Sequence, residues 1–234
     1  MTTKPLDQTS FVVNGEQESV RSDHPHLLAA LREELDITSP KDGCSPSGHC
    51  GACTVLLDGK AIQSCLVGME KAEGKEVVTL EGFPAEDRAR LANAFAAAGA
   101  LQCGFCTPGI MVRTQALLDQ QGKDLTREPA AGRLGGHLCR CTGYTKIFEA
   151  IEMLRTDEIP DVAMPGGVGT RGAKYEAAEL ALGDRGYVDD MRPDGLLHAA
   201  LKLSDHARAD VLSIDTGPAL AVEGVIACLL YTSD

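Results

Sequence analysis

Tryptophan is absent from the chain, and aromatic residues make up only 4% of its 234 residues. Small domains with so few aromatics gain from an additional cross-link, because large aromatic side chains supply much of the area that a core buries. No apolar run approaches the roughly 20 residues needed to span a bilayer, and the polar start of the chain lacks the apolar core of a signal peptide. Positive charge is also scarce, and the formal net charge of −12 argues against nucleic acid or an anionic membrane as a partner.

Cysteine, by contrast, is abundant, with nine residues. Cys44, Cys50 and Cys53 lie in one glycine-rich loop, and Cys65 follows after a short apolar segment and an Asp-Gly turn. This C-x5-C-x2-C spacing with a distant fourth cysteine is close to the plant-type [2Fe–2S] pattern, C-x4-C-x2-C. Small residues in such a loop let backbone N–H groups approach an anionic cluster. Four cysteines also suit tetrahedral Zn²⁺, and disulfides are the remaining alternative.

A second set of cysteines has its own spacing. Cys103 and Cys106 form a C-x2-C pair, Cys139 and Cys141 form a C-x-C pair, and Cys228 is left alone. Eight cysteines therefore fall into two groups of four, which favours two clusters over zinc or disulfides. Because thiols stay available as ligands in a reducing compartment, the sequence predicts a cytoplasmic protein.

Two motifs make the interpretation specific: residues 102–109 read QCGFCTPG, and residues 139–144 read CRCTGY. They resemble the second cluster domain of the molybdenum hydroxylases, the family of xanthine dehydrogenase and aldehyde oxidoreductase. The loop before them resembles that family's ferredoxin-like domain, and the likeness covers about residues 10–155. It implies that Gln102 and Cys139 lie on the side of a molybdopterin cofactor. The implied metal ligands are Cys44, Cys50, Cys53 and Cys65 for an outer [2Fe–2S] cluster, and Cys103, Cys106, Cys139 and Cys141 for an inner one, nearer molybdenum.

The predicted fold class is α+β. A strand, an Asn14-Gly15 turn, a second strand, a helix over 26–35 and further strands after the loop are typical of a β-grasp, ferredoxin-like [2Fe–2S] domain. The resemblance implies the same fold, over residues 1–82. Residues 83–156 have a helical period and predict an all-α helical-bundle [2Fe–2S] domain. Its helices are expected over residues 85–98, 108–121, 126–134 and 146–154.

Residues 157–172 contain two prolines and four glycines and predict a linker. Residues 173–234 resemble the α/β hammerhead-like start of the molybdopterin-binding subunit. Since that domain is longer than the segment present here, we expect the sequence to be truncated, and we expect the residues from Cys228 onward not to be native. Residues 1–9 are expected to form a loose tail.

The first loop departs from the family pattern, because five residues separate Cys44 from Cys50 where most of the family has four. The form resembles a branch in which the iron–sulfur portion is fused directly to the molybdenum portion, without a flavin domain. The linker agrees with that arrangement. Alternatively, the additional residue distorts the outer cluster and shifts its potential.

The resemblance implies an oxidoreductase that hydroxylates an aromatic heterocycle or aldehyde at molybdenum. In this chain we expect only the relay, which passes single electrons through the two clusters, and no catalytic residue. The implied partners are a molybdenum-cofactor domain, in the same or a companion chain, and an FAD subunit, ferredoxin or NAD as acceptor, in a larger oligomer. The alternatives are a stand-alone [2Fe–2S] electron carrier and a zinc-binding interaction module. Analysis of iron, zinc and acid-labile sulfide separates the zinc module from the other two interpretations.

Overall fold

The computed structural model describes residues 7–161, 167–169, 172 and 174–230. The chain divides into one compact unit, Met1–Met191, and a second, Arg192–Asp234. Parts of the predicted tail (1–9), of the predicted linker (157–172) and of the ending expected to be non-native lie outside the described residues.

A five-stranded sheet forms the first part of the compact unit, in the order β2-β1-β5-β3-β4. Its β1 and β5 run parallel, whereas the other neighbouring pairs are antiparallel. Asn14 and Gly15 both have positive φ angles, 52° and 87°, which is the conformation that the predicted two-residue hairpin requires. The strands are β1 (Gln8–Val13), β2 (Glu16–Arg21), β3 (Thr54–Leu57), β4 (Lys60–Gln63) and β5 (Glu76–Val78).

The helix expected over residues 26–35 packs on this sheet, but it is not a regular α-helix. Its first turn, α1 (Leu27–Ala29), continues as a π-helix over Ala30–Glu34, in which Leu35 N donates to Ala30 O. A second short helix, α2 (Met69–Ala72), precedes β5. One core joins sheet and helices, as in a β-grasp domain; its members include Phe11, Val20, Leu27, Leu31, Val55, Met69 and Val77.

Four helices follow, close to the predicted positions. The first of them begins and ends at the predicted residues, and the left-handed Gly99 ends it. Leu91 and Phe95 are fully buried, as their spacing predicted. The helices are α3 (Ala85–Ala98), α4 (Thr107–Gln121), α5 (Arg127–Leu134) and α6 (Thr145–Thr156). The α+β class is therefore confirmed, and within the described ranges no helix is both long and apolar enough to cross a bilayer.

The compact unit extends past residue 173, where the sequence predicts the next domain to begin. A further helix, α7 (Ala177–Leu182), contributes Ala177, Leu180 and Ala181 to the same core as α3 and α4. In the second unit, the described residues 192–230 include one short helix, α8 (Gly217–Leu220), and mostly exposed side chains. The hammerhead-like identity of that segment stays a prediction.

Candidate iron–sulfur centres

The first cysteine quartet lies where the β3–β4 hairpin meets the loop before it. Cys53 immediately precedes β3, and Cys65 follows β4 in a single 3-10 turn. Because Thr54 pairs with Gln63 across the hairpin, the two cysteines that flank it come together. Ser64 closes this junction, since its N–H and its hydroxyl both donate to Cys53 O, at 3.2 and 2.8 Å.

Cys44 and Cys50 complete the first group, and their environments differ. Cys44 is half-buried, whereas Cys50 and Cys53 are buried. The Ser47 side chain holds the pKa of the Cys44 thiol at about 6, helped by the backbone N–H groups of His49, Ser47 and Cys50. Burial raises the pKa of Cys50 and raises that of Cys53 to about 12, where the neighbouring Cys65 adds to the effect. Buried thiols of this kind become thiolate ligands when a metal cation compensates the charge.

Three glycines of this loop lie where a side chain would not fit. A Cβ on Gly43 would lie 3.1 Å from Cys50 Sγ, and one on Gly48 would lie 2.7 Å from Leu66 Cδ1. One on Gly51 would lie 2.6 Å from Gly136 O. Gly43 therefore lets the loop backbone lie against Cys50 Sγ, whereas Gly48 and Gly51 let it pack against Leu66 and Gly136. Small residues of this kind let backbone N–H groups approach an anionic cluster.

The second quartet joins two helix starts. Cys103 and Cys106 form the turn that leads into α4, and Cys106 is the residue before its first turn. Cys139 and Cys141 lie in the loop before α6. Cys141 Sγ is 3.6 Å from Cys103 Sγ, and the Cys139 thiol contributes to the raised pKa of Cys106. Both pairs thus lie near helix N-termini, where the free N–H groups favour negative charge.

The thiols of the second quartet are not equivalent. Burial raises the pKa of Cys106, and the Cys139 and Cys103 thiols add to this. Burial opposes ionisation of Cys139 as well, but hydrogen bonds from the Thr142 hydroxyl and N–H, the Cys141 N–H and the Cys106 thiol together lower its pKa. Tyr144 fixes this loop, because its hydroxyl accepts from Cys139 N at 2.8 Å and donates to His137 O at 3.0 Å.

The arrangement of the thiols indicates which kind of metal centre each quartet could hold. Among the residues that the structure describes, no three His, Cys, Asp or Glu side chains are arranged to hold a single metal ion. Within each group the thiols influence one another: Cys141 Sγ lies 3.6 Å from Cys103 Sγ. The thiols of Cys44, Cys65 and Cys139 add to the raised pKa values of Cys50, Cys53 and Cys106, respectively. Four thiols fit two irons, each with two protein ligands.

One segment, residues 136–138, connects the two quartets. Leu138 N donates to Cys50 O at 2.9 Å, so the residue before Cys139 bonds to a cysteine of the first group. His137 is buried, and its Nε2 lies 3.0 Å from Thr54 Oγ1. Burial, with a smaller contribution from Arg113, lowers the pKa of His137 to about 4. No local sequence pattern indicates this buried contact of His137.

Gln102, the residue predicted on the pterin side, is exposed, and its Nε2 donates to Cys141 O at 2.9 Å. Cys103 is exposed and Cys141 half-buried, whereas Cys139 is buried. Gln102 therefore shares an accessible face with Cys103 and Cys141 rather than with Cys139.

Comparisons with known proteins agree with this geometry. A family model described as a 2Fe-2S iron-sulfur cluster binding domain matches residues 11–80, and one described as a [2Fe-2S] binding domain matches residues 79–152. The nicotinate dehydrogenase small FeS subunit of Eubacterium barkeri is 42% identical over 141 residues, which cover 59% of this chain and 88% of that subunit.

Longer matches include the region after the two domains. The aldehyde oxidoreductase of Megalodesulfovibrio gigas is 34% identical over 93% of this chain. The solved aldehyde oxidoreductase of Desulfovibrio desulfuricans superposes with a TM-score of 0.85 over 95% of this chain, at 33% identity. The chain spans 26% of the length of each of these two oxidoreductases.

The mixed α+β fold and the two family matches define a class of protein: an iron–sulfur protein with two 2Fe-2S binding domains. Within that class, the chain belongs to the iron–sulfur subunits and domains of the xanthine dehydrogenase and aldehyde oxidoreductase type of molybdenum hydroxylase. Its role is electron transfer through iron–sulfur clusters, and it is part of an oxidoreductase.

Proposed function

We propose that the chain relays single electrons from a molybdopterin site through an inner and then an outer [2Fe–2S] cluster to an external acceptor. The observation that carries this proposal is the match of residues 11–80 and of residues 79–152 to 2Fe-2S binding domains, since each of these ranges contains one group of four cysteines. When bound, each cluster supplies one-electron redox chemistry. The proposed ligands are Cys44, Cys50, Cys53 and Cys65 for the outer cluster, and Cys103, Cys106, Cys139 and Cys141 for the inner cluster.

The protein supplies a short route between the two quartets. It runs from Cys139 through the peptide bond to Leu138 and across the hydrogen bond from Leu138 N to Cys50 O. Apart from this one hydrogen bond, the route consists of covalent bonds. The buried His137 lies next to Leu138 in the chain and contacts Thr54 through its Nε2. Its lowered pKa keeps the ring uncharged at neutral pH.

Two variants of one residue test this route. Leu138→Pro removes the N–H donor, and Leu138→Ala keeps it while removing the exposed side chain. We expect slower electron transfer between the clusters in the proline variant and an unchanged rate in the alanine variant, measured after rapid reduction of the inner cluster. Equal rates in both variants, with both clusters present, would contradict the route.

The exposed face at Gln102 is the proposed entry for electrons. One N–H of Gln102 Nε2 donates to Cys141 O, so we expect its Oε1 or its second N–H to bond to the pterin. The sequence named Cys139 as the sulfur on this side. Because Cys139 is buried, we propose that Cys141 or Cys103 has that place.

The proposal for the rest of the enzyme is supported by the relatives of this chain. We propose that a molybdenum-cofactor domain follows in the same chain, as the match to the aldehyde oxidoreductases over 93% of this chain supports. The proposed substrate site lies in that domain, and the proposed substrate class is a purine, an aldehyde or an aromatic acyl-CoA. The proposed acceptor is a flavin subunit or a ferredoxin, the proposed assembly is an oligomer, and the proposed location is the cytoplasm.

A redox titration of the anaerobically prepared chain tests the relay. We expect two distinct [2Fe–2S] signals in electron paramagnetic resonance (EPR) after reduction, with separate potentials. A single signal, or zinc in place of iron, would contradict the proposal.

A further inference from the structure

Residues 174–191, here called the strap, lie against both cysteine-bearing domains. Leu180 of α7 covers the turn that carries Cys103 and Cys106, so that a Cβ on Gly104 would lie 2.7 Å from Leu180 O. Gly183 fits between the two domains, because a Cβ on it would lie 3.2 Å from both Pro108 Cγ and Ser39 Cα. The strap thus follows the junction between the domains.

Tyr187 of the strap reaches the second quartet. Its hydroxyl donates to Cys103 O, and its ring meets Phe105 edge to face, with centroids 5.6 Å apart and planes at 77°. Lys41 Nζ, from the first domain, lies 5.0 Å from the centre of the same ring. Burial, followed by the charges of the Cys103 and Cys106 thiols, raises the pKa of Tyr187 to about 12, so its hydroxyl stays a donor.

The end of the strap is held by buried charges. Asp190 accepts from Arg32 Nη2 at 2.7 Å and from Lys41 Nζ at 3.1 Å. The side chains of Arg32, Lys41 and Asp190 are only 8%, 2% and 6% exposed. Arg32 Nη1 also donates to Thr38 O and Pro40 O, and its Nη2 donates to Asp189 Oδ2 at 3.2 Å. Burying charges is costly unless they are paired, so this contact specifies one position of the strap.

We infer that the strap clamps the two iron–sulfur domains together and that Tyr187 is a positioning residue for the cluster held at Cys103; this inference rests on the proposed function. The potential of an iron–sulfur cluster depends on nearby hydrogen bonds and on its exposure to solvent. The Tyr187 hydroxyl points its positive end at the backbone of Cys103, and the ring covers the Phe105 side of the same turn. The hydroxyl favours the negative charge that reduction adds to the inner cluster, whereas the ring excludes solvent from the same turn. Removing the hydroxyl alone therefore tests the first effect, at the cluster held by Cys103.

Redox titration of the full chain, followed by EPR, tests Tyr187. Tyr187→Phe keeps the ring and removes the hydroxyl, and Tyr175→Phe makes the same change at an exposed tyrosine of the strap. We expect a more negative potential for the inner cluster in Tyr187→Phe alone, with the outer cluster unchanged. Equal inner-cluster potentials in the wild type and both variants would overturn the role of Tyr187.

Hydrogen exchange tests the clamp with a second matched pair. Asp190→Asn removes the charge that the buried cations share, whereas Asp184→Asn removes an exposed charge that pairs with Arg88. We expect amide exchange over residues 187–191 to accelerate by about tenfold or more in Asp190→Asn and to remain at the wild-type rate in Asp184→Asn. Equal exchange in the two variants would overturn the clamp. A wild-type chain without two [2Fe–2S] signals would instead refute the proposed function, so the two failures are distinguishable.

Discussion

Replacing Gly109 by alanine tests how closely the two domains pack. Gly109 lies in the first turn of α4, and a Cβ there would lie 2.5 Å from Gly51 O and 3.0 Å from Ala52 O. Both atoms are backbone, so neither can rotate away. Alanine gains about 1 kcal/mol of helix propensity over glycine, whereas overpacking a close contact costs about 1–3 kcal/mol or more. Because the clash is with rigid backbone, we expect the packing cost to exceed the gain in helix propensity.

The expected result is a net loss of about 1–2 kcal/mol, which lowers the thermal unfolding midpoint by roughly 2–8 °C for a chain of this size. Gly51 and Ala52 lie between Cys50 and Cys53, so the loss should include iron from the outer cluster first. The assay is the unfolding midpoint at one scan rate, together with the EPR signal of each cluster.

Gly132→Ala is the matched control. Gly132 also lies within a helix, α5, but a Cβ there meets nothing within 4 Å. Here only the propensity gain remains, and we expect the midpoint to rise by the equivalent of about 0.5–1 kcal/mol. If Gly109→Ala also raises the midpoint, the close packing of α4 on the first cysteine loop is refuted.

Further predictions concern the thiols and His137. Cys53→Ser should remove the outer EPR signal alone, and Cys106→Ser should remove the inner signal alone. Cys228→Ser is the control and should leave both signals. Loss of both signals in every variant would contradict two independent quartets. The pKa of His137 is about 4 in the folded chain and about 6.5 when unfolded. Its contribution to stability is therefore complete above about pH 6.5 and decreases as the pH falls toward 4, by about 2 kcal/mol between pH 7 and pH 5. His137→Gln should flatten this dependence of the unfolding midpoint, and an equally steep fall in the variant would contradict the buried neutral ring.

Local patterns were sufficient for much of the fold. The Asn14-Gly15 turn, the bounds of α3 and the end of α4 at Gly122 follow from backbone preferences that neighbouring residues determine. The two cysteine groups were also visible, because ligands of one cluster come from short loops with regular spacing. The π-helical turn after α1 was not visible, since a single shifted hydrogen bond leaves no mark on the apolar period.

Long-range contacts are what the sequence did not predict. Lys41 is fully buried because it pairs with Asp190, 149 positions later, and nothing near either residue indicates the other. The sequence predicts that the strap is part of the next domain, because its motif resembles the start of the molybdopterin-binding portion. Its packing on Gly104 and Cys103 depends on tertiary structure alone.

Metal and sulfide analysis of the anaerobically purified chain, combined with quantitative EPR after reduction, tests the central claim most directly. Two [2Fe–2S] clusters predict about four irons and four acid-labile sulfides per chain, and two signals that each integrate to about one spin. Iron-free protein, zinc in the cysteine sites, or a single cluster that depends on all eight cysteines would contradict the account.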